Sequence, residues 1–216
     1  GISNEIIRVL GSARFCREWF TINAGLCTQD NCQPEQDDKI TVLFFLSHWT
    51  YNVDREATIS LIKRIAGQEN IRLIIKGHTR GRHVGGLSAK EEGLLGNYPS
   101  VEYAENNDHS PTLVALSDIV IVYGSSICFE ALLQGKPVCR PQYLSSNTTI
   151  FDQSGMVFGA NTEQQVISFI RNFTESNSSP INDSDLDNFL GIHTENTNHG
   201  GNVLESYVEL LVSKSR

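Results

Sequence analysis

Residues Tyr123 to Pro141, YGSSICFEALLQGKPVCRP, constrain the fold more tightly than any other stretch, because they follow directly on the apolar run DIVIVY that ends at Tyr123. Such a run is expected of a strand covered on both faces, as in a parallel sheet flanked by helices. Behind it stand two serines, an apolar segment of helical period, Gly135 as a helix stop and Pro137 at the start of another strand. The unit reads as strand, loop, helix, strand. Ser125 and Ser126 then lie at a carboxyl strand end, where α/β sheets bind ligands. If either serine caps the helix, the free amides of its first turn and the helix dipole favour an anion, with phosphate the natural guest. Gly124 allows the tight turn, and Glu130 lies one helical turn beyond Ser126, within reach of a ribose or sugar hydroxyl. A plainer reading leaves the serines as a helix cap and Glu130 as a solvated residue.

The flanking sequence continues the alternation. ITVLFFL, ending at Leu46, opens the sheet, and a helix capped by Asp54 carries Ile59, Ile62 and Ile65 to Gly67. Ile71 to Ile75 makes the second strand, Glu91 to Leu95 a short helical turn, and Val101 to Tyr103 a weak third strand. Ser110-Pro111 starts the helix leading to Asp118. Beyond the fifth strand, Pro137 to Pro141, helices are expected over Thr162–Phe173 and Asn202–Ser213. The polar stretch Glu175 to Asp185 between them reads as a linker. The last helix carries Val203, Leu204, Tyr207, Val208 and Leu211 as an apolar stripe, which must pack on the sheet or remain exposed. The fold class is therefore α/β, a Rossmann-like parallel sheet flanked by helices. The expected division is an irregular or helical segment over 1–39 and one Rossmann-like domain over 40–216.

A chain of 216 residues with 39% hydrophobic content buries a respectable core. A formal net charge of -8 opposes nucleic-acid binding, which needs a basic stripe. No apolar run approaches the length of an integral membrane segment, so a soluble chain is expected, and a cytoplasmic one if its thiols are reduced. Cys16, Cys27, Cys32, Cys128 and Cys139 form no CxxC pair and read as reduced thiols. The glycosylation-type sequences at Asn147, Asn172, Asn177 and Asn182 are discounted as chance matches. No Walker A sequence occurs, no GxGxxG follows the first strand, and no metal-ligand spacing is found, with His193 and His199 read as parts of a Gly/Asn-rich loop.

Two more loops follow predicted strands. Ser47-His48-Trp49-Thr50 places the Ser47 hydroxyl and His48 near a bound phosphate, or else Trp49 packs over the sheet edge and His48 is merely polar. Lys76-Gly-His-Thr-Arg-Gly-Arg-His83 concentrates basic side chains in an acidic protein. Across a crevice from Ser125, Lys76, His78 and Arg80 would stabilise charge on a phosphate leaving group; otherwise the loop is a solvated surface.

From about Thr41 to Gly155 the chain resembles the carboxyl-terminal, nucleotide-binding half of GT-B glycosyltransferases, in its serine loop, its helix bearing Glu130 and its Gly-Lys-Pro strand start. More narrowly it resembles bacterial capsule polysaccharide biosynthesis proteins, Kdo transferases and sialyltransferase relatives, which pair a Ser-Ser motif with a His-Pro motif. His78 matches that histidine and Lys76 the basic residue before it, whereas Thr79 stands in the place of proline and leaves the loop's φ free. The resemblance implies a glycosyltransferase domain binding a nucleotide sugar, CMP-linked first and UDP- or CDP-linked as alternatives, with no metal. His78 and Lys76 would be catalytic; Ser125, Ser126, Gly124, Glu130, Ser47, His48 and Arg80 would hold the nucleotide and its phosphate. It further implies a glycan acceptor, a second Rossmann-like domain or subunit, and work in capsule or surface polysaccharide synthesis, in the cytoplasm or at the inner face of its membrane. A CDP-glycerol-type polyol phosphotransferase, a non-hydrolysing UDP-sugar epimerase and a non-catalytic nucleotide-binding module are the alternatives.

Overall fold

A computed structural model of the protein describes residues 7–27, 39–78, 86–105, 107–176, 182–195 and 201–213. The chain divides into two compact units, one of Asn31–Ile181 and one of Gly1–Asp30 with Asn182–Arg216. In chain order the elements are α1 (Arg17–Cys27), β1 (Ile40–Phe45), α2 (Arg55–Ala66), β2 (Ile71–Lys76), α3 (Ala89–Leu95), β3 (Val101–Ala104), α4 (Ser110–Ala115), β4 (Ile119–Ile121) and α5 (Ile127–Leu133). Then come β5 (Val138–Pro141), a 3₁₀ turn (Gln142–Leu144), β6 (Phe158–Ala160), α6 (Glu163–Ser176), α7 (Asp183–His193) and α8 (Val203–Ser213).

The larger unit is built on six parallel strands in the order β3-β2-β1-β4-β5-β6. The order reverses between β1 and β4, so a crevice opens at their carboxyl ends. Both central strands are buried throughout or nearly so, with Val42, Leu43, Phe44, Ile119, Val120 and Ile121 fully inaccessible. That explains why their sequences read as continuous apolar runs rather than as alternation. The Rossmann-like α/β architecture expected from sequence is the one observed.

Local chemistry fixes the helices. Asp54 caps α2 by accepting from the Ala57 amide at 3.0 Å, and Ile59, Ile62 and Ile65 turn inward. After α5, Gly135 at φ 67° lets its own amide reach Leu132 O and that of Lys136 reach Ala131 O, both at 2.9 Å. This pair of bonds is a Schellman closure, and the left-handed φ is why glycine stands there. The Lys136 ammonium then donates to the carbonyls of Ala115 and Ser117 at 3.0 and 2.7 Å, satisfying the carboxyl end of α4. Its pKa is lowered, chiefly by burial.

The structure adds two elements to the sequence reading. β6 is a three-residue strand, too short to show a period, and it exists because β5 offers it a parallel partner. α7 begins inside the stretch read as linker. Asn182 accepts from the amides of Ser184 and Asp185, and Asp183 and Asp185 complement the positive helix end, so polarity that suggested a linker is a helix start. His193 accordingly lies on a helix.

In the smaller unit, Arg17 pairs with Asp187 and Glu195, the Ser12 amide donates to Thr194 O at 2.7 Å, and the Tyr207 hydroxyl donates to Gly11 O at 3.0 Å. α8 buries Val203 but leaves Val208 and Leu211 59% and 67% exposed, so the apolar stripe remains open. This helix belongs to the same unit as the N-terminal segment, whereas the sequence reading grouped it with residues 40–216. Among the described residues, no helix is long and apolar enough to cross a membrane. Cys16, Cys128 and Cys139 are buried free thiols; Cys32 lies outside the described residues.

Candidate functional site

A cavity of about 520 Å³ opens at the reversal point of the sheet. Ser47 and Tyr51 line it from the loop after β1, Tyr123 and Gly124 from the end of β4, and Ser145, Ser146, Asn147, Thr148 and Thr149 from the chain beyond β5. The lining is rich in hydroxyls and, among the described residues, contains no ionised side chain. Two of the expected residues, Ser47 and Gly124, are thus brought together. Gly124 has a steric reason to be glycine, since a Cβ there would stand 3.0 Å from the Thr149 methyl.

Ser125 and Ser126 follow Gly124 and are exposed. Ser125 Oγ accepts weakly from the Ile127 amide at 3.4 Å, while Ser126, at the cap position, makes no side-chain cap bond. Tyr123 is anchored from below: its hydroxyl donates to Thr58 Oγ1 at 3.1 Å, and its ring meets Phe44 edge-on. Burial raises its pKa far above the ordinary range.

His48 and His78 also converge. Their rings are 5.6 Å apart and perpendicular, and Tyr51 lies 5.0 Å from His48 and 6.2 Å from His78. His48 Nδ1 is 2.6 Å from Thr50 Oγ1. The turn is braced by its neighbour Trp49, whose indole donates to Gly86 O at 2.8 Å and carries the Arg55 guanidinium over its ring at 4.9 Å. Arg55 in turn makes two bonds to Glu91, whose pKa falls to about 2 because of that contact. Trp49 thus packs against its neighbours, and His48 joins an aromatic cluster at the crevice.

Lys76 and Glu130 are buried. Lys76 is 1% exposed and donates to the Glu105 carbonyl; burial lowers its pKa, with Asp108 and Glu105 opposing. Glu130 is 4% exposed and accepts from Gln134 Nε2 at 3.0 Å, a group that also donates to Pro111 O in α4. Neither lines the cavity. Arg80 and Thr79 lie outside the described residues. No group of three potential metal ligands occurs among the described residues.

Sequence reading missed Tyr51 and the wall from Ser145 to Thr149. The signal was the hydroxyl-rich run SSNTT just past the fifth strand, a carboxyl strand end like the others.

No family model matches the chain, and no curated protein matches it. Solved structures do. A glycosyltransferase from Rickettsia africae superposes with a TM-score of 0.58 at 12% identity, over 97% of this chain and 57% of its own. HepE from Anabaena, solved with UDP-glucose, gives 0.52 at 14% identity, over 94% and 54%. The C-terminal CMP-Kdo binding domain of WaaA from Acinetobacter baumannii gives 0.50 at 16% identity, over 75% of this chain and 92% of that domain. The chain thus has the fold of these structures, and it spans about half the length of the first two.

Proposed function

We propose that the chain is the donor-binding part of a glycosyltransferase and that the cavity between the ends of β1 and β4 receives a nucleotide sugar. The observation that carries this reading is the coincidence of a hydroxyl-lined cavity with the reversal point of the strand order, where doubly wound sheets take nucleotides. Ser47, Gly124 and the 145–149 wall contact the ligand. The exposed amides of Ser125 and Ser126 face its phosphate, with His48 and His78 flanking the leaving group. Lys76 and Arg80 supply positive charge beside it, Lys76 from a buried position. Glu130, the ribose contact that the resemblance implies, sits behind the cavity, bonded to Gln134. CMP is the favoured nucleotide, in line with the Ser-Ser and His78 resemblance, and capsule or surface polysaccharide synthesis the favoured setting. A second Rossmann-like domain or subunit completes the acceptor side, so this chain alone binds donor without transferring sugar.

A thermal-shift panel of CMP, CDP, UDP, GDP and ADP tests the reading. Ligand at a hundredfold excess over its dissociation constant adds about 2.7 kcal/mol to the stability of the folded state. A pyrimidine nucleotide should give that shift, CMP the largest; a response to ADP alone or to none of the five would refute it.

A further inference from the structure

Behind the 145–149 wall lies a charged pair that the donor-site reading does not use. Arg140, on β5, is 2% exposed. Its guanidinium donates to the Tyr123 carbonyl, to Asp152 Oδ1 and to the Asn147 carbonyl. Asp152 Oδ1 also accepts from Gln142 Nε2 at 3.0 Å, and its Oδ2 accepts from the Thr149 amide. One ion pair therefore ties the end of β4 to both halves of the wall. A buried ion pair of this kind is a poor source of net stability, because desolvation offsets its attraction, so geometry is the better account of it.

The wall it shapes has a division of labour. Asn147 Nδ2 donates to the Tyr51 carbonyl at 2.8 Å, Ser145 Oγ accepts from the Asn147 amide, and Thr149 Oγ1 accepts from the Phe151 amide, both at 3.3 Å. Those three side chains hold the loop. Among the described residues the hydroxyls of Ser146 and Thr148 engage no protein partner, and the cavity they border presents no ionised side chain. Neutral hydroxyls at a cavity edge match a polyhydroxylated, uncharged group better than an anion.

We infer that Arg140 and Asp152 are positioning residues that hold Ser146 and Thr148 against the sugar of the donor, and so set how well the site distinguishes a glycosylated nucleotide from the free one. This role rests on the donor-site reading. In Asp152→Asn an amide group replaces one carboxylate oxygen, so either Arg140 or the Thr149 amide meets a donor instead of an acceptor. The wall then loses its register.

The test compares wild type, Asp152→Asn, Arg140→Lys and Thr148→Ala in calorimetric titrations with CMP, UDP, GDP and ADP, and with CMP-N-acetylneuraminate, UDP-glucose, GDP-mannose and ADP-glucose. Hydrogen exchange at the Thr149 amide is read alongside. All three variants should lose about tenfold in affinity for the sugar nucleotide while the matching free nucleotide changes by less than about twofold. Exchange at Thr149 should quicken in the two pair variants only. A purely structural role would lower the melting temperature and weaken both ligand classes alike, which would overturn the inference. Thr148 is exposed, so Thr148→Ala carries the test even if the pair variants fail to fold; wild-type discrimination in that variant would also overturn it. If wild type binds none of the eight probes, the donor-site reading falls, and this role with it.

Discussion

Replacing Glu91 with glutamine should loosen the brace beneath His48, and the cost can be worked from the contacts. The Glu91 carboxylate takes bonds of 2.8 and 2.6 Å from Arg55 and bonds of 2.7 and 2.8 Å from the Ser88 amide and hydroxyl. Together they bring its pKa from the ordinary 4.5 down to about 2. At about 1.4 kcal/mol per pKa unit the depression corresponds to roughly 3 kcal/mol. The Arg55 side chain is 40% exposed, so solvent screening reduces the expected value to about 1 to 2 kcal/mol. The folded-state pKa lies below the unfolded one. This stability is therefore fully present above the unfolded pKa and disappears as pH falls from about 4.5 through about 2. Only two tryptophans occur, Trp19 and Trp49, so a Trp19→Phe background makes Trp49 the sole reporter, beside Arg55 itself. Urea melts followed at Trp49 should show Glu91→Gln less stable by about 1 to 2 kcal/mol near pH 7, with the gap closing as pH falls to about 2. Equal stability near neutrality, or a gap independent of pH, would refute the reasoning.

Gly124→Ala should push the Thr149 methyl outward by a few tenths of an ångström, with stability changed by less than about 1 kcal/mol and nucleotide affinity lowered about tenfold in calorimetric titration. Lys136→Met keeps the aliphatic stem but strands the Ala115 and Ser117 carbonyls, so the urea midpoint should fall by the equivalent of about 1 to 3 kcal/mol. Ser126→Ala and His78→Ala should each weaken nucleotide binding by roughly 1 to 3 kcal/mol, and the double variant by less than their sum; strict additivity would place the two loops in separate environments.

The sheet was legible because its central strands are buried on both faces, and a run such as ITVLFF leaves no other explanation. Two shorter elements were not. β6 contributes three residues, one of them glycine, and α7 hides its apolar positions, Phe189 and Leu190, behind a polar first turn. For the site, residues directly after strands one and four could be placed from sequence, since connectivity alone puts them at the crevice. The Ser145 to Thr149 wall was marked only by its place past the fifth strand; its approach to Gly124 depends on the fold of Arg140 and Asp152 around it. Glu130 shows the same gap from the other side: helical spacing sets its height along α5, but the bond to Gln134 decides which way the carboxylate turns.

The smaller unit is assembled from the two ends of the sequence, with all of Asn31–Ile181 between them. Its tie from the Tyr207 hydroxyl to Gly11 O spans 196 residues, and that from the Val203 amide to Glu18 spans 185. Contacts so distant in sequence are costly to form from an open chain, because the entropy of closing the loop must be overcome before any contact rewards it. Folding of the intervening sheet removes most of that freedom in advance. The sheet can complete itself from contiguous sequence, and the helical unit closes after it. A substitution that slows the sheet would therefore delay a unit to which it does not belong.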